Sequence, residues 1–152
     1  MHEGDLAPDF ELPANDGNIV KLSTYKNHKN VALCFYPKNH LFMCPSKRVF
    51  EMAKSVISAY DEILKTDSAV FAISVDTVDD QRKFVSEYKI PYLHLSDTKK
   101  QTCKAYAGLN MAGLAKRSTF IIDKNGVIRK IFRSFDVQKH GQQIAQALSD
   151  LK

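Results

Sequence analysis

The run Val31-Ala32-Leu33-Cys34-Phe35-Tyr36, stopped by Pro37, constrains the fold more than any other stretch of the chain. It offers no polar residue to turn toward water. Such a continuous apolar segment suits a central strand covered on both faces, which in turn demands a layer of other elements on each side. Ala69 to Val75, with Val-Phe-Ala-Ile-Ser-Val, and Ser118 to Asp123, with Ser-Thr-Phe-Ile-Ile-Asp, repeat the pattern. Between the first two, Val49, Phe50, Ala53, Val56, Ile57, Tyr60, Ile63 and Leu64 recur at helical spacing. They predict an amphipathic helix over 45–65, with Pro45 in its first turn, where a missing N–H costs nothing.

The remaining segments continue the alternation. Asp76, Thr77 and Asp79 mark a helix start, followed by Phe84, Val85 and Tyr88. Pro91 to Leu95 reads as a short strand, and Lys99 to Ala107 as a short helix ended by Gly108. Lys124-Asn125-Gly126 is a hairpin turn returning through Val127 to Phe132, and Gln138 to Leu151 closes the chain as a helix. Near the start, Asn15-Asp16-Gly17-Asn18 turns the chain into Ile19-Val20-Lys21-Leu22, giving a small hairpin. Strands alternating with helices imply βαβ crossovers. The expected fold is α/β with a mixed central sheet flanked by helices and an N-terminal β-hairpin, in a single domain over residues 1–152. The closing antiparallel hairpin followed by a helix resembles the thioredoxin-like pattern.

The net charge is +5, carried by scattered residues such as Lys26, Lys29, Lys47, Arg48, Lys99, Lys100 and Arg129. No basic block is long enough to read as a nucleic-acid tract. No run of about 18 apolar residues is present, so no membrane helix is expected. The start, Met1-His2-Glu3-Gly4-Asp5, has neither a basic nor an apolar leader region, and a cytoplasmic location is expected. The three cysteines, Cys34, Cys44 and Cys103, are odd in number and widely spaced, with no CxxC. That pattern argues against a disulfide framework and a structural zinc site, and no metal or other cofactor is expected.

Cys44 is the reactive candidate. It follows the first apolar strand across a short loop and directly precedes the expected helix. Ligands collect at the carboxyl ends of strands in α/β sheets, and a helix N-terminus favours a thiolate over a thiol. Cys34, inside the apolar strand, reads as core filler. Cys103 stands beside Lys99, Lys100 and Lys104, which would lower its pKa, but its reading is structural.

With these residues in view, the chain resembles the peroxiredoxins, and within them the bacterioferritin-comigratory-protein/PrxQ group. Gly4 to Pro13 is similar to the opening G-x-x-A-P-D-F-x-L segment, Phe35-Tyr36-Pro37-Lys38 to FYPK, and Phe71-Ala72-Ile73-Ser74-Val75-Asp76 to V-x-x-I-S-x-D. Leu95-Ser96-Asp97 matches L-S-D, and Arg117 to Asp123 matches R-x-T-F-I-I-D. The resemblance implies a thiol-dependent peroxidase that reduces hydrogen peroxide and organic hydroperoxides through a sulfenic acid on Cys44. Pro37, seven residues before Cys44, would shield the sulfur, and Arg117 would stabilise the thiolate and orient the peroxide. Thioredoxin, glutaredoxin or a small thiol would be the reductant, and a monomer or homodimer the assembly.

Two positions depart from the family pattern. Its Thr/Ser position is Leu41, which removes a hydroxyl that hydrogen-bonds the peroxide; His40 and Ser46 are candidate substitutes. Leu41, Phe42 and Met43 make the loop apolar and suit a bulkier hydroperoxide as a substrate pocket. The usual resolving position, five residues after Cys44, is Val49. A one-cysteine cycle is the simpler expectation, with Cys103 the candidate resolving thiol. Two alternatives stand beside the peroxidase: a divergent redox sensor or binding protein with weak activity, and a thiol–disulfide oxidoreductase, against which the missing CxxC counts.

Overall fold

The computed structural model describes residues 1–41, 44–45 and 47–151, and only the backbone of Leu41, Cys44 and Pro45. The apolar run becomes β3 (Asn30–Phe35), every residue of it buried, at the centre of a five-stranded sheet. The sheet order is β7 (Leu93–Ser96), β6 (Ser68–Ser74), β3, β8 (Ser118–Ile122) and β9 (Ile128–Phe132). The β3–β6 and β6–β7 pairs are parallel, while β3–β8 and β8–β9 are antiparallel. The mixed sheet thus follows the expected order. So does the N-terminal hairpin, β1 (Glu11–Pro13) against β2 (Ile19–Lys21), with Leu12 opposite Val20.

Side chains of β3 alternate between two cores. Ala32 and Cys34, with Tyr36 just beyond the strand, join α1 (Lys47–Leu64), α2 (Val78–Tyr88) and α4 (His140–Ser149) in one apolar cluster. Val31, Leu33 and Phe35 join the N-terminal hairpin and α3 (Gln101–Tyr106) in the other. The period of two along a strand therefore decides which face each residue serves. Helices α1 and α4 approach so closely that the Gly141 N–H donates to Ser55 Oγ at 2.8 Å. A Cβ at Gly141 would lie 2.0 Å from the Ser55 carbonyl oxygen.

The first fifteen residues run along both outer strands of the sheet. Gly4 N donates to Ile128 O at 2.7 Å and Ile128 N to Asp5 O at 2.9 Å, beside β9. Asn15 N donates to His94 O, and His94 N to Asn15 Oδ1, each at 2.9 Å, beside β7.

One expectation needs correction. The helix predicted over 45–65 begins at Lys47, and Pro45 is not in its first turn. Cys44–Pro45 instead form a short strand, β5, antiparallel to β4 (His40–Leu41), with Leu41 opposite Cys44 and His40 opposite Pro45. The physical reason lies in Pro45 itself: a residue before proline is pushed from helical toward extended backbone, and that residue is Cys44. Elsewhere the elements match, with ends moved by one or two residues.

Candidate active site

The carboxyl end of β3 delivers Tyr36 buried and Pro37 half-buried. Arg117 arrives at the same end from the other direction. Its neighbour Ser118 opens β8 opposite Phe35, so the antiparallel register sets Arg117 beside the end of β3. The guanidinium is half-buried and donates through Nη1 to Met52 Sδ of α1 at 3.8 Å. Burial, and then the charge of Arg48, push its pKa down to about 10. It stays protonated at neutral pH. Among the described residues no carboxylate lies within ion-pair distance of it. A desolvated cation beside a second arginine, with a thioether its only side-chain partner among the described residues, is an arrangement that an anion relieves.

Cys44 enters this end of the sheet through its backbone. It pairs with Leu41 two residues beyond Asn39, and α1 begins three residues later at Lys47. The structure thus brings Pro37, Leu41, Cys44 and Arg117 to the region where β3 leaves the sheet. Phe42 and Met43, the rest of the expected substrate pocket, and Ser46 lie outside the described residues. His40 is exposed, its ring edge-on to Phe84 at 6.3 Å.

The other two thiols are free and buried on opposite faces of the sheet. Cys34 packs on the α1 side, and burial pushes its thiol up to about 12. It lines a cavity of about 20 Å³ with Val49, Met52, Phe84 and His94, too small for an organic hydroperoxide. Cys103 is fully buried on the hairpin side, and its N–H donates to Asp97 Oδ2 at 2.6 Å. The expectation that Lys99, Lys100 and Lys104 lower its pKa does not hold: burial raises it, and the Asp97 carboxylate raises it further. A fully buried thiol feels its apolar shell more than solvated ammonium groups.

A buried polar cluster escaped the sequence reading. The Tyr36 hydroxyl lies 2.6 Å from Asn39 Oδ1, 2.9 Å from Gln81 Oε1 and 2.9 Å from His94 Nδ1. Burial drives His94 down to about 3, so it is neutral, and the nitrogen facing Tyr36 is the one that serves this cluster. Asp76, read from sequence as part of a helix start, caps nothing. Thr77 is the N-cap of α2, its Oγ1 accepting from Asp80 N at 3.2 Å, while Asp76 Oδ2 accepts from Ser74 Oγ and Asn39 N. The only available signal was the polar set Tyr36, Ser74 and Asp76 at the ends of apolar strands.

Residues 4–131 match the AhpC/TSA family. The chain belongs to that family. A peroxiredoxin named Bcp from Bacillus subtilis (strain 168) is 31% identical over 97% of this chain and 95% of its own length. A putative peroxiredoxin bcp from Helicobacter pylori (strain ATCC 700392 / 26695) is 33% identical over 97% and 98%. The crystal structure of the peroxidoxin BcpB from Mycobacterium tuberculosis superposes with a TM-score of 0.87 at 26% identity, covering 100% of this chain and 99% of that one. A Xylella fastidiosa PrxQ gives 0.88 at 21% identity and shares the fold. This peroxiredoxin therefore has the thioredoxin-like architecture expected from its element order, and it is a thiol-dependent peroxidase. Among the described residues no group of three His, Cys, Asp or Glu side chains is placed to hold a metal, and no helix is long and apolar enough to cross a membrane.

Proposed function

We propose that Cys44 is the peroxidatic thiol and that Arg117 and Pro37 form its site. The observation that carries this reading is Arg117: a half-buried cation with no carboxylate among the described residues, at the end of the sheet where the Cys44 strand lies. A thiolate is the anion this end calls for. Burial of the other two thiols supports the assignment, since each is held protonated at neutral pH.

The Cys44 thiolate attacks the terminal oxygen of a hydroperoxide. An S–O bond forms, the O–O bond breaks, and the electron pair leaves with the alkoxide or hydroxide, which takes a proton to become alcohol or water. Cys44 is left as a sulfenic acid. Arg117 stabilises both the thiolate and the developing negative charge on the leaving oxygen. Pro37 keeps water from the sulfur. A thiol then condenses with the sulfenic acid, releasing water, and a second thiol frees Cys44 by exchange. Val49 stands where a helix-borne resolving cysteine would sit, so an external donor completes the cycle: thioredoxin, glutaredoxin or a small thiol. Cys103 would first need its cluster opened. Hydrogen peroxide and organic hydroperoxides are the substrates, the cytoplasm with its thiol pool the compartment, and residues 1–152 act as one domain, as a monomer or homodimer.

Leu41 favours a second reading, a slowly oxidised sensor read by a partner protein, because leucine offers the peroxide no hydrogen bond. Stopped-flow oxidation separates the two. A Cys44 that reacts with hydrogen peroxide or an organic hydroperoxide far faster than free cysteine, and a Cys44→Ser variant without peroxidase turnover, support the enzyme. A native rate no faster than free cysteine overturns it.

A further inference from the structure

Beside Cys44's strand lies a set of buried polar groups that the peroxidase chemistry does not use. Asn39 is 1% exposed although its neighbours Lys38 and His40 are both exposed. Its backbone N–H and both ends of its side-chain amide are engaged. Its N–H donates to Asp76 Oδ2 at 2.9 Å, its Nδ2 to Gln81 Oε1 at 3.0 Å, and its Oδ1 lies 2.6 Å from the Tyr36 hydroxyl. The partners are themselves fixed. Ser74 Oγ donates to Asp76 Oδ2 at 2.6 Å, and Gln81 Nε2 donates to Ser74 Oγ at 2.9 Å and Leu95 O at 3.2 Å. Gln81 is fully buried and Asp76 is 4% exposed.

Burying so many polar groups is costly unless each is paired, and a satisfied network in a low-dielectric interior is correspondingly rigid. This one joins the loop after β3 to the loop after β6, the start of α2 and the backbone of β7. The residue after Asn39 is His40, the first of β4, and β4 pairs with the strand that contains Cys44.

We propose that Asn39, clamped by Asp76, Gln81 and Tyr36, is a positioning residue for the peroxidatic cysteine. It fixes the start of β4. Through the Leu41–Cys44 pair it sets where the Cys44 backbone stands relative to Pro37 and Arg117. The inference rests on the assignment of Cys44 as the peroxidatic thiol. Where a family hydroxyl is replaced by Leu41, alignment of sulfur, peroxide and guanidinium depends the more on the backbone that carries the sulfur.

The test uses Asn39→Ala and Tyr36→Phe, singly and together, in the full chain. Two quantities are read on folded protein: the rate constant for oxidation of Cys44 by hydrogen peroxide, and the pH midpoint of its alkylation, followed by mass of the Cys44 peptide. Misplacing reacting groups by about 1 Å costs on the order of 10²-fold, so each single variant is expected to lose about 10- to 100-fold in oxidation rate. The alkylation midpoint is expected to rise as the sulfur leaves Arg117. The double variant is expected to be no slower than the worse single one, because both act through one network. Tyr36→Phe keeps the ring and removes only the hydroxyl, so it carries the test if Asn39→Ala does not fold. Native oxidation rates and midpoints in the folded variants, with only a lower melting temperature, overturn the proposal. Cys44→Ser with full turnover overturns the assignment of Cys44, and this inference falls with it. An inactive Cys44→Ser beside a fully active Asn39→Ala removes the positioning role alone.

Discussion

Arg117 reaches Met52 across 3.8 Å, guanidinium to thioether, one turn of helix beyond the position where a resolving cysteine would stand. Sulfur of this kind is a weak acceptor and does not itself neutralise the positive charge. Removing that charge is expected to be felt first at Cys44. Arg117→Ala should raise the Cys44 thiol pKa and slow oxidation by about 10²–10³-fold, the usual size for a lost transition-state donor. Stopped-flow oxidation across pH measures both, and an unchanged pH profile would mean that another group holds the thiolate.

Leu41 stands opposite Cys44 in the β4–β5 pair, where the family pattern has a hydroxyl. Leu41→Thr should raise the oxidation rate, by up to about 10²-fold for one preorganised hydrogen bond. The same kinetic trace checks it. No gain would show that a neighbouring group already takes the peroxide proton.

Thiol counting gives a direct check on burial. Cys34 and Cys103 are 2% and 0% exposed, with thiols raised by desolvation. A chromogenic disulfide reagent should therefore label one thiol quickly in native protein and two more only after denaturant is added. Rapid labelling of a second thiol without denaturant would point to an opening of one face of the sheet.

Gly141 tests the packing of α1 on α4. Its Cβ would meet the Ser55 carbonyl at 2.0 Å, and helix backbones do not yield as flexible side chains do. Gly141→Ala should cost about 1–3 kcal/mol or more, the range for overpacking. Thermal unfolding should show a Tm lower by several degrees, and a native Tm would mean that the helices part at little cost.

Two buried histidines set the acid limb of stability. His94 is held down to about 3, by burial. His140 is held down to about 4, chiefly by burial, with Thr119 Oγ1 2.7 Å from Nε2 and Phe135 stacked on its ring. Both native pKa values lie below the ordinary imidazole value of about 6.5. The stability they contribute is fully present above that value and is lost as pH falls through about 4 and about 3, because the unfolded chain takes up protons that the native one refuses. Asp76 works in the opposite sense, since burial raises its carboxyl. Each pKa unit is roughly 1.4 kcal/mol, and two depressed imidazoles stand against this one raised carboxyl. The urea midpoint should fall steadily on acidification below neutrality, and a flat midpoint down to acid pH would contradict neutral, buried imidazoles.

The architecture was legible because it rests on periodicity. A run as short as Val31–Tyr36, apolar throughout and ended by Pro37, fits a covered strand, and the spacing from Val49 to Leu64 fits one helix face. What failed was local. Pro45 read as a helix opener, yet its ring acts first on Cys44 and holds it extended, so Cys44 precedes the helix by more than expected. Cys103 looked cationic from its neighbours in sequence, because nothing in Lys-Lys-Gln-Thr-Cys-Lys tells which of those side chains water surrounds. The Asn39 cluster was invisible for a different reason: it assembles from four separate segments, and hydrogen-bond partners forty residues apart leave no mark in spacing.

The course of the first fifteen residues has a consequence for solution behaviour. A sheet's outer strands present unpaired N–H and C=O groups, and these template aggregation when left bare. Here one segment occupies both, Gly4 and Asp5 beside Ile128, Asn15 beside His94. Loss of that segment by proteolysis would uncover two sticky margins at once, turning a clipped peroxidase into a nucleus for precipitation even while its catalytic end stayed intact.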